Sequence, residues 1–502
     1  MKAAAVFSDN MVLQRGKPVR IFGTCEDGCG NITVTVPELG VTAEADICGG
    51  KWSALLEPMV ACDECTVVVT SGSERVAFSN VAVGEVWLAG GQSNMEFELR
   101  NEKNGAKALS ECESENVRFY YTPKCEMNDE RLAKCEAESS WQMPSAENSK
   151  IWSAVGYYFA RELSRRLGVT VGVIGCNWGG TSASAWVDRE TLTNDIRLRP
   201  YIDEYDKAVE GKSDEQMIAE YDEYVAYQAE FDRKMQKCYQ ETPDITWDEV
   251  IKKCGENRYP GPMGIKNPMR PCGLYEVMIS RVCPYTLAGF LYYQGESDDH
   301  RPQSYEVLLK ALISKWRSDW HDRELPFVIA QLPMHRYEAD PDWKNWCLIR
   351  EAQMNTYRTV KNTGLAVLID CGEFNNIHPV EKEKAAHRMC LSALYEVYGE
   401  IDRAEALPPM FSHFVRCGNA LELHFDNCSG FEVGNDLGGF EISEDGVSYV
   451  PADASSLNDV ITVSTEGISR PAYVRYLWTN YSDVHIFGRN GLPLPPFMSD
   501  CD

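Results

Sequence analysis

Positive charge is scarce in this 502-residue chain, where 49 lysines and arginines face 76 aspartates and glutamates for a formal net charge of −27. Binding to a phosphate backbone needs clustered cations, so nucleic acid is excluded as the expected partner, and an anionic membrane surface with it. Long apolar runs are lacking too. No window reaches the roughly 18 consecutive apolar residues of a spanning helix. The start, Met1-Lys2-Ala3-Ala4-Ala5-Val6-Phe7-Ser8-Asp9, turns polar at once and has no apolar stretch of an export signal. A cytoplasmic location is therefore expected, or a secreted or periplasmic one if a leader has been trimmed. Cysteine is plentiful, with 19 residues, but the number is odd and the spacing irregular. Cys62 and Cys65 form the one tight pair, beside a looser Cys25/Cys29. No second Cys or His pair sits at matching spacing, so no zinc site is expected, and most thiols are expected to be free and buried.

The chain changes character twice. Residues 1–82 carry short β-branched runs (Pro18–Phe22, Ile32–Val36, Thr66–Val69) cut by Gly, Asp and Asn turns, which predicts an N-terminal β domain. From 83 to 400, apolar runs at Glu85–Ala89, Val169–Ile174, Ala288–Tyr293, Phe327–Leu332 and Leu365–Ile369 alternate with helical stretches such as Ile151–Leu167. Continuous apolar strands separated by helices predict a parallel sheet covered on both faces. Residues 196–262, dense in Asp, Glu, Lys and Tyr, interrupt that pattern as a helical insertion. It reads as a solvated helical hairpin or as a lid over the site. From 401 to 502 short β runs return, as a C-terminal β region placed to pack with the N-terminal one.

Chemistry concentrates at strand ends. Gly84-Glu85-Val86-Trp87-Leu88-Ala89-Gly90-Gly91-Gln92-Ser93-Asn94-Met95 is an apolar strand running into Gly-Gly and a lone serine. In an open α/β sheet ligands bind outside the carboxyl ends of the strands, so Ser93 is placed as a nucleophile with backbone N–H groups beside it. The same turn also serves as a plain strand-to-helix connection with serine as N-cap. A nucleophilic serine needs a base. Of the eight histidines, His378 stands out, because it follows Leu365–Ile369 by a short polar loop and so falls on the same rim. Val173-Ile174-Gly175-Cys176-Asn177-Trp178-Gly179-Gly180-Thr181 ends a strand in Gly-Gly. Tyr292-Tyr293-Gln294-Gly295-Glu296-Ser297-Asp298 ends another in amide, glycine and carboxylate, where the Gln294 amide is a candidate oxyanion donor.

Gly91-Gln92-Ser93-Asn94-Met95, Trp178-Gly179-Gly180-Thr181, Tyr293-Gln294-Gly295-Glu296-Ser297 and Ile377-His378-Pro379, in that order, resemble the motif set of the sialate O-acetylesterase family. Phe7–Arg15, Arg270–Tyr275 and Gly491-Leu492-Pro493 extend the likeness over nearly the whole chain. The resemblance implies an SGNH-type, flavodoxin-like α/β/α catalytic domain with flanking β-sandwich-like modules. It implies removal of O-acetyl groups from a carbohydrate without metal or cofactor. Ser93 would attack, His378 would take its proton, and the Ser93 N–H, Gly180 N–H and Gln294 amide would hold the oxyanion.

One position departs from the pattern. Many SGNH hydrolases carry Asp three residues before the catalytic histidine, where this chain has Asn375. An amide oxygen can orient an imidazole but supplies no charge, so Glu296 is the favoured third member of the triad, with Asn375 or a backbone carbonyl as alternatives. Acetylated xylan is the alternative substrate, and a catalytically impaired carbohydrate-binding protein the competing class. For an anionic sugar, Arg301 or Arg350 is a candidate cation. Oligomeric state is not readable.

Overall fold

The computed structural model describes residues 1–26, 30–242, 245–434 and 437–499. Six strands form its centre: β1 (Glu74–Gly91), β2 (Val117–Tyr121), β3 (Val171–Asn177), β4 (Gly289–Tyr293), β5 (Phe327–Gln331) and β6 (Thr363–Val367). They lie side by side in the order β2-β3-β1-β4-β5-β6, each parallel to its neighbour. Leaving out the edge strand β2, this is the doubly wound order 2-1-3-4-5, with its switch point between β1 and β4. Every residue of β3, β4, β5 and β6 is buried, as continuous apolar strands require when both faces are covered.

Helices connect these strands. α1 (Ser93–Glu96) follows β1, α2 (Ala154–Leu167) precedes β3, α6 (Pro302–Asp319) follows β4, and α7 (Asn345–Thr359) and α8 (Glu383–Ala393) flank β6. Helix α2 packs on α8, and α6 on α7. α2 begins where the Ser153 side chain accepts the Gly156 N–H and ends at Gly168 in the left-handed conformation, both ordinary stop and start signals. Between β3 and β4 the insertion forms α3 (Arg199–Val209), α4 (Asp214–Glu241) and α5 (Trp247–Cys254), with a small core of its own at Phe231, Ile245, Val250 and Cys254.

Two expectations needed revision. Strand β2 was not foreseen, because Arg118, its second residue, breaks the apolar run. Its guanidinium is buried, and the two terminal nitrogens donate to carbonyls of the N-terminal region, Asn10 O at 3.1 Å and Asp63 O at 3.2 Å. The expected strand Glu85–Ala89 falls in the C-terminal part of an 18-residue strand. Its first half pairs antiparallel with Cys62–Ser71 in the N-terminal β region, and its second half lies parallel between β3 and β4. A division at 82/83 therefore cuts through one continuous strand. The C-terminal region is antiparallel β and is fixed to the central unit at Asn480, whose carbonyl accepts His335 N at 2.9 Å and whose side chain accepts Trp346 N at 3.1 Å. The described cysteines other than Cys25 are free thiols; Cys29, of the looser pair, lies outside the described residues.

The core beneath β4 is aromatic. The Phe290 ring lies 5.2 Å from Trp316, 5.1 Å from Trp320 and 5.5 Å from Phe327, and the residue is completely buried. Phe290→Ala should lower unfolding stability by about 3–5 kcal/mol through lost burial and the remaining cavity. Urea denaturation with an unchanged slope checks this.

Candidate active site

The turn after β1 is shaped by close approach. Gly91 has φ 134°, and a Cβ there would sit 2.1 Å from the Tyr293 carbonyl oxygen at the end of β4. Only glycine permits β1 and β4 to come together at that point. The next two residues leave the strand and begin α1, which presents Ser93, partly exposed, at its first position. Opposite it, the loop after β6 brings His378, whose Nε2 lies 2.8 Å from Ser93 Oγ. Gly179 packs on the serine, since a Cβ there would be 3.3 Å from Ser93 Cβ. Gly180 follows with φ 75°. Among the described residues neither the Ser93 N–H nor the Gly180 N–H has an acceptor. Two free N–H donors thus lie at the serine itself and at the residue after the glycine that packs on it.

Gln294 stands elsewhere. It is buried, and its Nε2 donates to Asp298 Oδ2 at 2.6 Å and to Gln92 Oε1 and Thr181 O at 3.2 Å each. Its amide protons are consumed by these acceptors, so Gln294 braces the strand ends and is not available to an oxyanion. Neither expected orienter bonds the imidazole. Glu296 Oε1 accepts from Asn94 Nδ2 at 2.5 Å, while Asn375, exposed and in the left-handed region, accepts Glu338 N at 3.3 Å. His378 Nδ1 has no acceptor among the described residues. The histidine is set by its loop instead: His378 N donates to Asn376 Oδ1 at 3.1 Å, and the Ile377 carbonyl accepts from Asn94 Nδ2 at 3.0 Å.

That second contact reveals residues that sequence reasoning missed. Asn94 is fully buried behind the nucleophile, and Lys382 Nζ donates to its Oδ1 at 2.5 Å. Lys382 is itself buried, lying 4.8 Å from the centre of the Phe97 ring and 5.8 Å from that of Tyr293. Burial lowers its pKa to about 8, against the opposing attraction of Glu296. Burial equally raises Glu296, whose Oε2 has no partner. The signal available in the sequence was only a lysine four residues after the candidate base, inside the charged run Glu381-Lys382-Glu383-Lys384 that opens a helix. On the other side, Glu96 Oε2 accepts the Gly179 N–H at 2.5 Å, and Lys124 Nζ pairs with Glu96 Oε1 at 2.5 Å.

These charges act on the base. Burial first, then the Lys382 ammonium and the neighbouring His335 imidazole, hold His378 below the ordinary 6.5, with Glu96 opposing. The imidazole is therefore neutral at neutral pH and able to take the serine proton. Among the described residues no cluster of His, Cys, Asp and Glu is arranged to hold a metal ion.

Since His378 titrates below 6.5, the acid limb of kcat/KM should fall below that pH. Lys382→Met removes a cation that lowers His378, so the acid limb should move to higher pH; Lys382→Arg should keep it low. The Met variant also frees the Asn94 amide, and loss of alignment should cost up to about 100-fold in kcat. pH–rate profiles of the three proteins check both effects.

Comparison with known proteins places this geometry. Residues 262–381 match a family model described as carbohydrate esterase, sialic acid-specific acetylesterase. The mouse sialate O-acetylesterase is 27% identical over 544 residues, spanning 99% of this chain and 94% of its own. The human sialate O-acetylesterase is 25% identical over 549 residues, with 99% and 92% covered. In the crystal structure of a carbohydrate acetylesterase from Xanthomonas citri, 99% of each chain superposes with a TM-score of 0.77 at 26% identity. With full-length relatives of one kind, a matching solved fold, and a serine and histidine in contact at the strand ends, the chain is similar over its whole length to the sialate O-acetylesterases and is a carboxylic ester hydrolase.

Proposed function

We propose that this protein removes O-acetyl groups from sialic acid by a serine-esterase mechanism on an SGNH-type α/β/α scaffold. The scaffold reading is supported by the β3-β1-β4-β5-β6 order and by the two helix pairs, α2 with α8 and α6 with α7. The observation that carries the mechanism is the 2.8 Å contact between Ser93 Oγ and His378 Nε2. As Ser93 Oγ bonds the acetyl carbonyl carbon, its proton passes to His378 Nε2. The carbonyl oxygen takes up the negative charge between the Ser93 and Gly180 N–H groups, the pair of unengaged donors. Collapse breaks the bond to the sugar oxygen, which leaves with the proton from His378. Water, deprotonated by the same imidazole, then cleaves the acetyl-serine to acetate and free Ser93. The neutral resting state of His378 suits it to accept both protons.

The sialate reading draws on the named relatives and on one cation. Arg350 is committed, fully buried with its guanidinium on the Pro333 and Thr479 carbonyls. Arg301 pairs with Glu204 and covers the Tyr201 ring at 5.2 Å. Arg336, just after β5, pairs with no carboxylate among the described residues. Its guanidinium lies 5.8 Å from the Phe374 ring, and its carbonyl accepts Asn375 N at 3.0 Å, on the loop that carries His378. In a chain of net charge −27, an uncommitted arginine on this rim suits a substrate carboxylate.

Acetate release from an aryl acetate, O-acetylated sialic acid and acetylated xylan tests the reading. Ser93→Ala should lose about a thousandfold or more on every substrate that turns over. Preference for xylan would replace sialate as the substrate. Arg336→Gln should raise KM for the sialate relative to xylan by about tenfold, the loss of one charge-assisted contact; an unchanged ratio removes Arg336 from substrate binding.

A further inference from the structure

A cavity of about 420 Å³ opens beside Gly180, and its walls come from two sources. The central unit contributes Gly180, Ser297 and His300. The segment between β3 and β4 contributes Tyr201 and Tyr205 from α3, and Tyr259 from the loop after α5. The Tyr259 hydroxyl lies 2.1 Å from where a Gly180 Cβ would be, so it is seated directly on the glycine whose N–H is unengaged. Gly180 thus lacks a side chain at the one place where Tyr259 needs the room.

The polar groups lining the cavity divide sharply. Those at its base are used: Tyr201 OH and Ser182 Oγ both donate to Asp298 Oδ1, at 3.0 Å and 2.6 Å. Those facing the space are not. Tyr259 OH, Tyr205 OH, Ser297 Oγ and the ring nitrogens of His300 make no hydrogen bond within the protein among the described residues. Four uncommitted donors and acceptors and three aromatic rings therefore surround one space next to the oxyanion donors. Hydroxyls and C–H faces alternating over a small ring are what such a lining recognises. The volume, near the lower end of the roughly 300–1,000 Å³ of ligand pockets, suits one or two pyranose rings.

The Tyr259 loop is built to stay in place. Asn267, fully buried, donates from Nδ2 to the Pro260 carbonyl at 3.1 Å and the Pro262 carbonyl at 3.2 Å. Tyr259 N donates to Asn257 Oδ1 at 3.1 Å, and Gly261 packs against the Tyr224 ring of α4. The long helix acts as the support on which this loop rests.

We propose that the insertion is the sugar-recognition element of the enzyme: it walls a subsite for the pyranose that carries the acetyl ester, with Tyr259 binding a ring hydroxyl next to the scissile bond. The proposal rests on the esterase reading. Its test compares Tyr259→Phe, Tyr259→Ala and His300→Gln with the parent enzyme. kcat and KM are measured for 4-nitrophenyl acetate, O-acetylated sialic acid and an acetylated xylo-oligosaccharide, with melting curves as a fold control. For the better sugar substrate, the kcat/KM ratio of sugar to aryl acetate should fall about 3- to 10-fold in Tyr259→Phe, the worth of one hydrogen bond, and further in Tyr259→Ala. A ratio unchanged in all three variants overturns the subsite, whether or not absolute rates fall. Failure of the esterase reading looks different: Ser93→Ala would then match the parent on the aryl acetate.

Discussion

A single buried amide carries the alignment of this active site. Asn94 follows the nucleophile in sequence, and its side chain receives Lys382 on one atom while giving its protons to Glu296 and to the carbonyl before His378. Nucleophile and base come from strands far apart in the chain, and 285 positions separate them. Their contact is short because one group, unable to move in a closed pocket, is bonded to the elements bearing both. An amide has a head and a tail, and the lysine decides which way it faces. Reversed, it would set an NH₂ against the ammonium and an oxygen against both the carboxylate and the carbonyl, a combination that a buried site does not tolerate.

This arrangement also explains how the histidine works without a carboxylate at its back. The usual partner supplies both orientation and charge. Here orientation comes from the backbone of the loop, through Asn376 and the Ile377 carbonyl. The electrostatic surroundings push the base towards neutrality, with burial, Lys382 and His335 outweighing Glu96. The imidazolium formed in the reaction must then be stabilised by the developing oxyanion itself and by solvent at the partly open rim.

Much of this was legible in the sequence, for identifiable reasons. Buried parallel strands are continuous apolar runs, so five of the six central strands stood out, and the glycine pairs at their ends marked where backbone comes close to backbone. Ser93 and His378 were singled out from that geometry, and the Gly180 N–H from the resemblance of its motif. What was hidden was side-chain direction. Gln294 and Glu296 were correctly placed at the end of β4, but nothing in a linear sequence says that one turns to Asp298 and the other to Asn94. Lys382 was invisible because lysine before a helix is ordinarily solvated, and Arg118 concealed β2 because a buried cation that donates to carbonyls has no signature in periodicity. The helices of the insertion were evident. Their position over Gly180 was not, since it depends on a loop folding back across the rim.

The continuity of β1 has a mechanical meaning. The same peptide ladder that pairs with Cys62–Ser71 at one end terminates at Gly91 and hands over to the nucleophile at the other. Cys62–Ser71 holds its first part, and β3 and β4 hold its last from both sides, so the outer β region and the serine share one continuous rod. Exchange of that region for another during evolution would have to preserve the rod's tilt and register, because a slip of a single residue would turn Ser93 away from its base. The N-terminal module is thus less an appendage than the handle of the catalytic turn, and the two should vary together across relatives rather than shuffle as independent units.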